Sequence, residues 1–478
     1  MRILFTHSYF LKFDEKQYRT AQPYPPLGTL YAMAYLRENG YDVKLFDTMF
    51  CDSSKDIEST IDSFQPDILI SYDDGFNYLT KMCLTNMRHA CFEMQHYAKT
   101  KGCKVITSSS DAADHFESYL NHGADAIAIG EAEQTILDLC NAFKTNSSID
   151  LIFGIAHSKN GQILKTATRL VIKDLDTLPT PAWDLLDIRP YKKMWLDNHG
   201  YFSLNFVTTR GCPYKCNWCA KPIYGNRYNT HSAENSVKEI KKWQQEFGFT
   251  HVWFADDIFG LKPNWLRDFD HFITEEKVKI QYKIQSRADL LLAEDNIRHL
   301  AHSGCTMVWM GAESGSQKIL DAMDKGTKVE EIIEARRLLK HHHIRASFFL
   351  QFGYLGETMD DIQKTISLLE ETMPDDIGIS VSYPLPGTVF YEKVKQDLTH
   401  KTNWTDSDEM AMMFKNTYPP AFYKILHRLV HSIYRKRKAL NKLHLKTNPA
   451  TKIKPSLSYL KYSLSQALQT YQLKQKMH

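Results

Sequence analysis

The sequence predicts an α/β chain built as an N-terminal doubly wound parallel sheet, a partial (β/α)6 barrel and a helical C-terminal extension. Three observations predict it. Short apolar runs alternate with amphipathic helical segments over residues 1–150, and strand–helix alternation implies parallel pairing. The alternation resumes over residues 201–400 with six strand–helix units, a number that suits a closed or partly closed barrel. Beyond residue 400 the pattern turns to helical spacing and basic charge. With 478 residues, 43% of them apolar and 24% charged, the chain is a globular protein too long for a single core.

In the first block, "RILFTHS", "DVKLFDT", "PDILISYDD", "CKVITSSS" and "ADAIAIG" read as strands. "LGTLYAMAYLRENG", "NYLTKMCLTNMRHACFEMQHYAKTKG" and "EAEQTILDLCNAF" read as the helices between them. Ligands of such sheets sit beyond the carboxyl ends of the strands. Three loops lie there: Tyr72 to Asn77, Ser108 to Asp111, and Gly130 to Glu133. No G-x-G-x-x-G follows the first strand, which argues against a dinucleotide. Residues 151–200 form a connector, with a hairpin turning at Asn160-Gly161 and then a proline-punctuated stretch.

The barrel strands are expected in "LNFVTTRG", "THVWFADD", "IQYKIQSRA", "TMVWMGAES", "ASFFLQFGY" and "IGISVSYP". Residues 401–478 place Phe422, Leu426, Leu429, Val430 and Ile433 on one helical face. From Lys401 onward there are 15 Lys/Arg and 3 Asp/Glu, a surplus of +12; the formal total of +3 leaves −9 for the first 400 residues. The run "RKRK", Arg435 to Lys438, suits a solvated helix end, an anionic lipid surface or RNA, and a basic segment alone is a weak nucleic-acid footprint. "MRILFTHSYF" is no signal peptide, and no stretch reaches the roughly 18 apolar residues of a membrane span. The expected location is the cytoplasm, with free thiols favoured over disulfides.

Three of the nine cysteines, Cys212, Cys216 and Cys219, fall in "TTRGCPYKCNWCAKPIYG", directly after the first barrel strand. The other six, Cys51, Cys83, Cys91, Cys103, Cys140 and Cys305, are scattered and read as small buried side chains. A C-x3-C-x2-C loop fits three chemistries. One is a Cys3His zinc site completed by His231. Another is a redox dithiol of Cys216 and Cys219. The third is a [4Fe–4S] cluster held by three thiolates, one iron being left open for a substrate or cofactor.

That spacing, with Trp218 before the third cysteine, resembles the radical SAM superfamily. The resemblance covers the whole barrel. It implies a [4Fe–4S] cluster on Cys212, Cys216 and Cys219 whose open iron chelates S-adenosylmethionine, and a one-electron cleavage that releases a 5′-deoxyadenosyl radical. It implies further S-adenosylmethionine contacts at strand ends. Asp256 and Asp257 of "FADDIFG" would face the methionyl amine, and Ser286 and Arg287 of "QSRADL" the carboxylate. Gly311, Glu313 and Ser314 of "MGAESG" would face the ribose. "GYLGET" and "PLPGT" match as backbone turns. On composition alone, each of these groups also reads as ordinary strand-end polar residues.

The first block resembles the cobalamin-binding domain that precedes the barrel in one radical SAM subgroup, through Pro25 to Asp47, Gly123 to Ile136 and the connector Asp174 to Asp187. That resemblance implies cobalamin against Asp74, Gly75, Ser108, Ser109, Gly130 and Glu131. D-x-H-x-x-G is absent, so no histidine ligand to cobalt is expected. The tail, "CNWCAKPIYG" and "WFADDIFGLKP" are similar to the anaerobic magnesium-protoporphyrin IX monomethyl ester cyclase group.

The implied activity is modification of an unactivated carbon of a tetrapyrrole-like or other hydrophobic small molecule, by oxidative cyclisation or hydroxylation, or alternatively by C-methylation. A flavodoxin or ferredoxin would supply electrons, and the basic tail would give peripheral contact with the inner membrane face. Nucleic acid is not an expected partner: an RNA methylthiotransferase would carry more front-domain cluster cysteines and a β-rich end. A non-catalytic zinc- or cluster-binding protein is the remaining alternative.

Overall fold

The computed structural model describes all residues except 77–83, 222, 402, 446–448 and 477–478. Asn77 of the first candidate loop and Cys83 therefore lie outside the described residues. The chain packs as two compact units. The first holds Met1–Pro213, Ala220–Ile284 and Asn403–Glu409; the second holds Tyr214–Cys219, Gln285–Thr402 and Met410–His478.

The first unit opens with β1 (Arg2–Thr6), β2 (Asp42–Phe46), β3 (Ile68–Tyr72), β4 (Lys104–Ser108) and β5 (Ala126–Ala128). Their order is β2-β1-β3-β4-β5, all parallel. β1 and β3 are almost wholly buried, which explains continuous apolar runs rather than alternation. Helices Leu27–Glu38, Thr85–Thr100 and Glu133–Thr145 follow the expected segments. The connector hairpin exists as β6 (Ile155–Lys159) and β7 (Gln162–Lys165), joined antiparallel to the edge of the same sheet beyond β5. Asn160 (φ 51°) and Gly161 (φ 77°) supply the left-handed pair that a two-residue hairpin turn requires.

Six further strands correspond to the six expected for the barrel. They are β8 (Ser203–Phe206), β11 (His251–Phe254), β12 (Gln281–Ser286), β13 (Cys305–Glu313), β14 (Arg345–Phe352) and β15 (Asp376–Val381). A short ribbon of β9 (Thr209–Arg210) and β10 (Asn229–Thr230) follows β8. The sheet order is β8-β11-β12-β13-β14-β15, and the chain passes from one unit to the other within β12. Every pair whose register is described is parallel. The chain is thus a doubly wound sheet followed in sequence by a partial (β/α)6 barrel.

Alternation along β12 sorts its faces. Tyr282 packs edge-on against Phe254 and Phe269, on the side of helix Trp265–Glu275. Lys283 points to the opposite face, in register with Trp253 and, through it, Asn205. Its ammonium stands 5.0 Å from the Tyr24 ring and 5.4 Å from the Trp253 ring. Among the described residues no carboxylate pairs with it, and burial lowers its pKa to about 8.

In the second unit the predicted helical face is buried, with Phe422, Leu426, Leu429, Val430 and Ile433 all in the core. Helix Pro420–Leu445 packs against a further helix, Pro449–Lys474. No described helix is long and apolar enough to cross a membrane.

Lys283 sets a stability prediction. Its folded pKa of about 8 lies below the ordinary lysine value of ~10.4, so the unfolded chain holds the extra proton between these values and stability rises as pH increases across that window. Lys283→Met should raise the melting temperature at neutral pH and flatten that rise, as read by calorimetry over a pH series.

Candidate functional site

The cysteine loop leaves β9 through Arg210 and Gly211. Arg210 is 2% exposed. One guanidinium nitrogen donates to Glu131 at 2.5 Å and another lies 2.8 Å from Glu133. The rings of Tyr31, Phe76 and Tyr224 stand 5.3 to 5.9 Å from its guanidinium carbon. Burial opposes the charge, and the two glutamates hold it in place. The root of the loop is therefore bolted to the turn after β5. Gly211 has φ +83°, and a Cβ there would stand 2.4 Å from the Arg227 carbonyl oxygen, so only glycine fits.

The three thiols form no disulfide and are half-buried. Within the second unit, Asn217 anchors the part that carries Cys216 and Cys219. Its Nδ2 donates to the Ala322 carbonyl and to Asp324, both at 2.8 Å, and its Oδ1 accepts from the Tyr354 hydroxyl at 2.7 Å. Its backbone N–H reaches the Met323 carbonyl, and its carbonyl accepts from Phe390.

Arg287 sits beside this anchor. Asp289 takes its Nε and Nη2 at 3.0 Å each, and Nη2 also reaches Thr327. The remaining nitrogen, Nη1, lies 3.8 Å from the Cys216 sulfur, and the guanidinium covers the Tyr214 ring at 3.7 Å. A second buried cation, Lys325, pairs with Glu313 at 2.9 Å. Burial works against its charge, but Glu313 and Cys216 hold its pKa above the ordinary lysine value. Glu313 adopts φ +57° at a register shift between Gly311 and Glu313. Such strain in a non-glycine residue is characteristic of functional sites. A Cβ on Gly311 would stand 2.6 Å from the Lys325 amine, so the missing side chain makes room for the ion pair.

Other predicted residues have different surroundings. Asp256 is buried and turned inward, accepting from the N–H and hydroxyl groups of Thr208 and Thr209 at 2.5 to 3.2 Å. Burial raises its pKa to about 7. Asp257 is exposed. Ser286 is buried at the end of β12. Ser314 is fully buried and engaged with Thr365 and the Ser316 N–H. In "GYLGET", Glu357 accepts from the Gly353 N–H at 2.6 Å; in "PLPGT", Thr388 caps helix Val389–Val394.

At the front sheet, Asp74 accepts from the N–H groups of Gly28 and Phe76, and Ser109 caps helix Ser110–Asp114. Ser108 is buried at the end of β4. Glu131 is spent on Arg210 and the Ile172 N–H. Gly75 and Gly130 form a floor without side chains. Ile223 covers it: its Cδ1 would be 2.5 Å from a Cβ on Gly75, and its carbonyl oxygen 3.5 Å from one on Gly130.

Arg210, Asn217, Lys325 and Thr327 escaped sequence reasoning. Arg210 and Asn217 flank the cysteines and were legible as part of the motif; Lys325 and Thr327 lie more than 100 residues away and carry no local signal.

Residues 206–369 match the family model of the Radical SAM superfamily, so this part of the chain is a radical SAM domain. The class binds a [4Fe–4S] cluster and S-adenosylmethionine. Among curated relatives, an uncharacterized methyltransferase of Pyrococcus horikoshii is 27% identical over 87% of this chain and 89% of its own length. An anaerobic magnesium-protoporphyrin IX monomethyl ester cyclase of Rubrivivax gelatinosus is 25% identical over 96% of this chain and 81% of its own. The fold is shared with the cobalamin-dependent S-adenosylmethionine radical enzyme OxsB, solved with aqua-cobalamin bound (TM-score 0.74, 19% identity, covering 98% of this chain and 72% of that one).

The donor set fits an iron–sulfur cluster. Three uncrosslinked thiols stand within eight residues, and two buried cations face the middle one. Among the described residues no three His, Cys, Asp or Glu side chains form a metal-holding group. His231, the histidine of the zinc alternative, is engaged with Asp176 through its Nδ1 at 3.1 Å.

Removing one partner of a buried ion pair costs about 3–5 kcal/mol. Arg210→Ala should therefore lower stability by about that amount in denaturant titrations, while the conservative Arg210→Lys loses less. Asn217→Ala should increase proteolytic nicking within Tyr214–Cys219 without a comparable loss of global stability.

Proposed function

We propose that the chain is a cobalamin-dependent radical SAM enzyme acting on an unactivated carbon of a hydrophobic small molecule. The observation that carries the reading is the three-cysteine loop without a disulfide, with Arg287 and Lys325 drawn to Cys216. In this reading residues 1–150 bind the corrin, 151–200 connect, 201–400 form the catalytic barrel and 401–478 extend it. Cys212, Cys216 and Cys219 would hold the [4Fe–4S] cluster. Cluster and S-adenosylmethionine together supply one-electron cleavage of the sulfonium, and cobalamin supplies a second reactive centre.

The chain's own residues bind and orient. Arg287 and Lys325 place two positive charges beside Cys216. Asp257, the exposed member of its pair, would face the methionyl ammonium, while Asp256 latches the strand end through Thr208 and Thr209. Asp289 holds one edge of Arg287 and leaves Nη1 to meet the ligand carboxylate. Glu313, fixed by Lys325, would present its strained backbone to the ribose, and Gly311 leaves room for that ion pair; Ser314 would act through its backbone. Asp74, Gly75, Ser108, Ser109 and Gly130 would floor the corrin, Glu131 acting indirectly through Arg210.

Oxidative cyclisation or hydroxylation is favoured by the similarity over 96% of the chain to a magnesium-protoporphyrin ester cyclase. C-methylation is the second reading, supported by the P. horikoshii relative. A flavodoxin- or ferredoxin-type donor would supply electrons in the cytoplasm, with peripheral membrane contact through the basic tail.

Anaerobic reconstitution should give about four irons per chain and 5′-deoxyadenosine on reduction. Cys216→Ala should lose both and still bind corrin; a variant that cleaved S-adenosylmethionine normally would refute the assignment. S-adenosylhomocysteine among the products would select methylation. Ile223→Ala should bind cobalamin more tightly than wild type in an absorbance titration, since Ile223 must turn off the glycine floor.

A further inference from the structure

The second of the two C-terminal helices, Pro449–Lys474, presents an unusual outer face. Ile453, Leu457, Leu460, Leu464, Leu468 and Tyr471 are each 58–74% exposed. Their spacings of 4, 3, 4, 4 and 3 residues put them on one stripe about 27 Å long, at 1.5 Å per residue. Loss of packing does not explain the stripe, because the helix is already docked by its other side. Leu473 is buried there, Lys436 reaches Gln466 at 3.1 Å, and the Arg435 and Lys436 head groups lie over Tyr462 and Tyr459. A continuous apolar strip on an otherwise packed helix marks an interaction surface.

The charge around the stripe selects the partner. Lys454 and Lys461 flank one edge at helical spacing and Lys452 and Lys474 the other. Residues 410–478 contain 14 Lys/Arg and no Asp or Glu. Two copies meeting stripe to stripe would bring lysines against lysines with no acid to pair them, which opposes self-association. An anionic lipid surface satisfies both features at once: the strip enters the acyl boundary while lysines at its edges meet headgroup phosphates.

We infer that the outer face of helix Pro449–Lys474 is a membrane-docking surface that lies in the interface of an anionic bilayer. The inference takes up the peripheral contact proposed above but assigns it to the apolar stripe rather than to the "RKRK" segment, of which Arg435 and Lys436 are occupied by packing. It does not depend on the radical chemistry.

The test is cosedimentation of the full-length protein with vesicles of phosphatidylcholine alone or mixed with phosphatidylglycerol, at physiological and high salt. Wild type should bind the mixed vesicles and keep part of that binding in high salt, since an inserted strip is not screened. The double variant Leu457→Gln, Leu464→Gln keeps charge and helix propensity, and should bind at least about tenfold more weakly, with unchanged melting and unchanged anaerobic iron loading. Lys454→Glu with Lys461→Glu should lose the preference for phosphatidylglycerol. If the glutamine variant bound as tightly as wild type, with all binding stripped by salt, contact by charge alone would stand and the stripe proposal would fall. A lipid-free dimer, by light scattering, that the glutamine variant dissolves would overturn it in favour of a second copy. Neither result bears on S-adenosylmethionine cleavage, which is assayed separately.

Discussion

The start of the cysteine loop depends on one buried ion cluster. Arg210, the last residue of β9, is enclosed by Glu131, Glu133 and three aromatic rings within the first unit. A guanidinium so deprived of water is tolerated only because two carboxylates from the turn after β5 meet it. The same turn ends the strand beside the glycine floor. The start of the loop and the floor proposed for the corrin are therefore held by one set of charges, and neither can shift without exposing an unpaired ion. Gly211 adds a steric condition to this electrostatic one.

The second unit solves a related problem with different means. Its cations, Arg287 and Lys325, each have a carboxylate of their own, Asp289 and Glu313, and each retains influence on Cys216. A lone cation near a thiol would be expensive to bury and prone to pairing elsewhere. A cation already fixed by an acid keeps its direction and part of its field. The left-handed backbone of Glu313 shows that this placement is held against local conformational preference.

Much of the architecture was legible because periodicity reports burial. β1 and β3, buried on both faces, appear as unbroken apolar runs, and the helical face from Phe422 to Ile433 appears as helical spacing. The cysteines were legible because their chemistry is local. What was not legible depends on distance. Glu131 reads as a loop acid next to a candidate ligand, but its partner Arg210 is 79 residues away. Asp256 and Asp257 are indistinguishable as letters, and only the turn of Thr208 and Thr209 separates a latched side chain from an exposed one. Helix Pro449–Lys474 was hidden for another reason: its stripe resembles a core face, and only the docked opposite side shows that it is not one.

Asn217 has a consequence for how a ligand would be gathered. Its amide and backbone are saturated by Ala322, Asp324, Tyr354, Met323 and Phe390, so the residue between the second and third thiols has little conformational freedom left to lose. The ordering entropy of this segment has thus been surrendered during folding, so a ligand taken up there would meet a backbone already fixed rather than a floppy one.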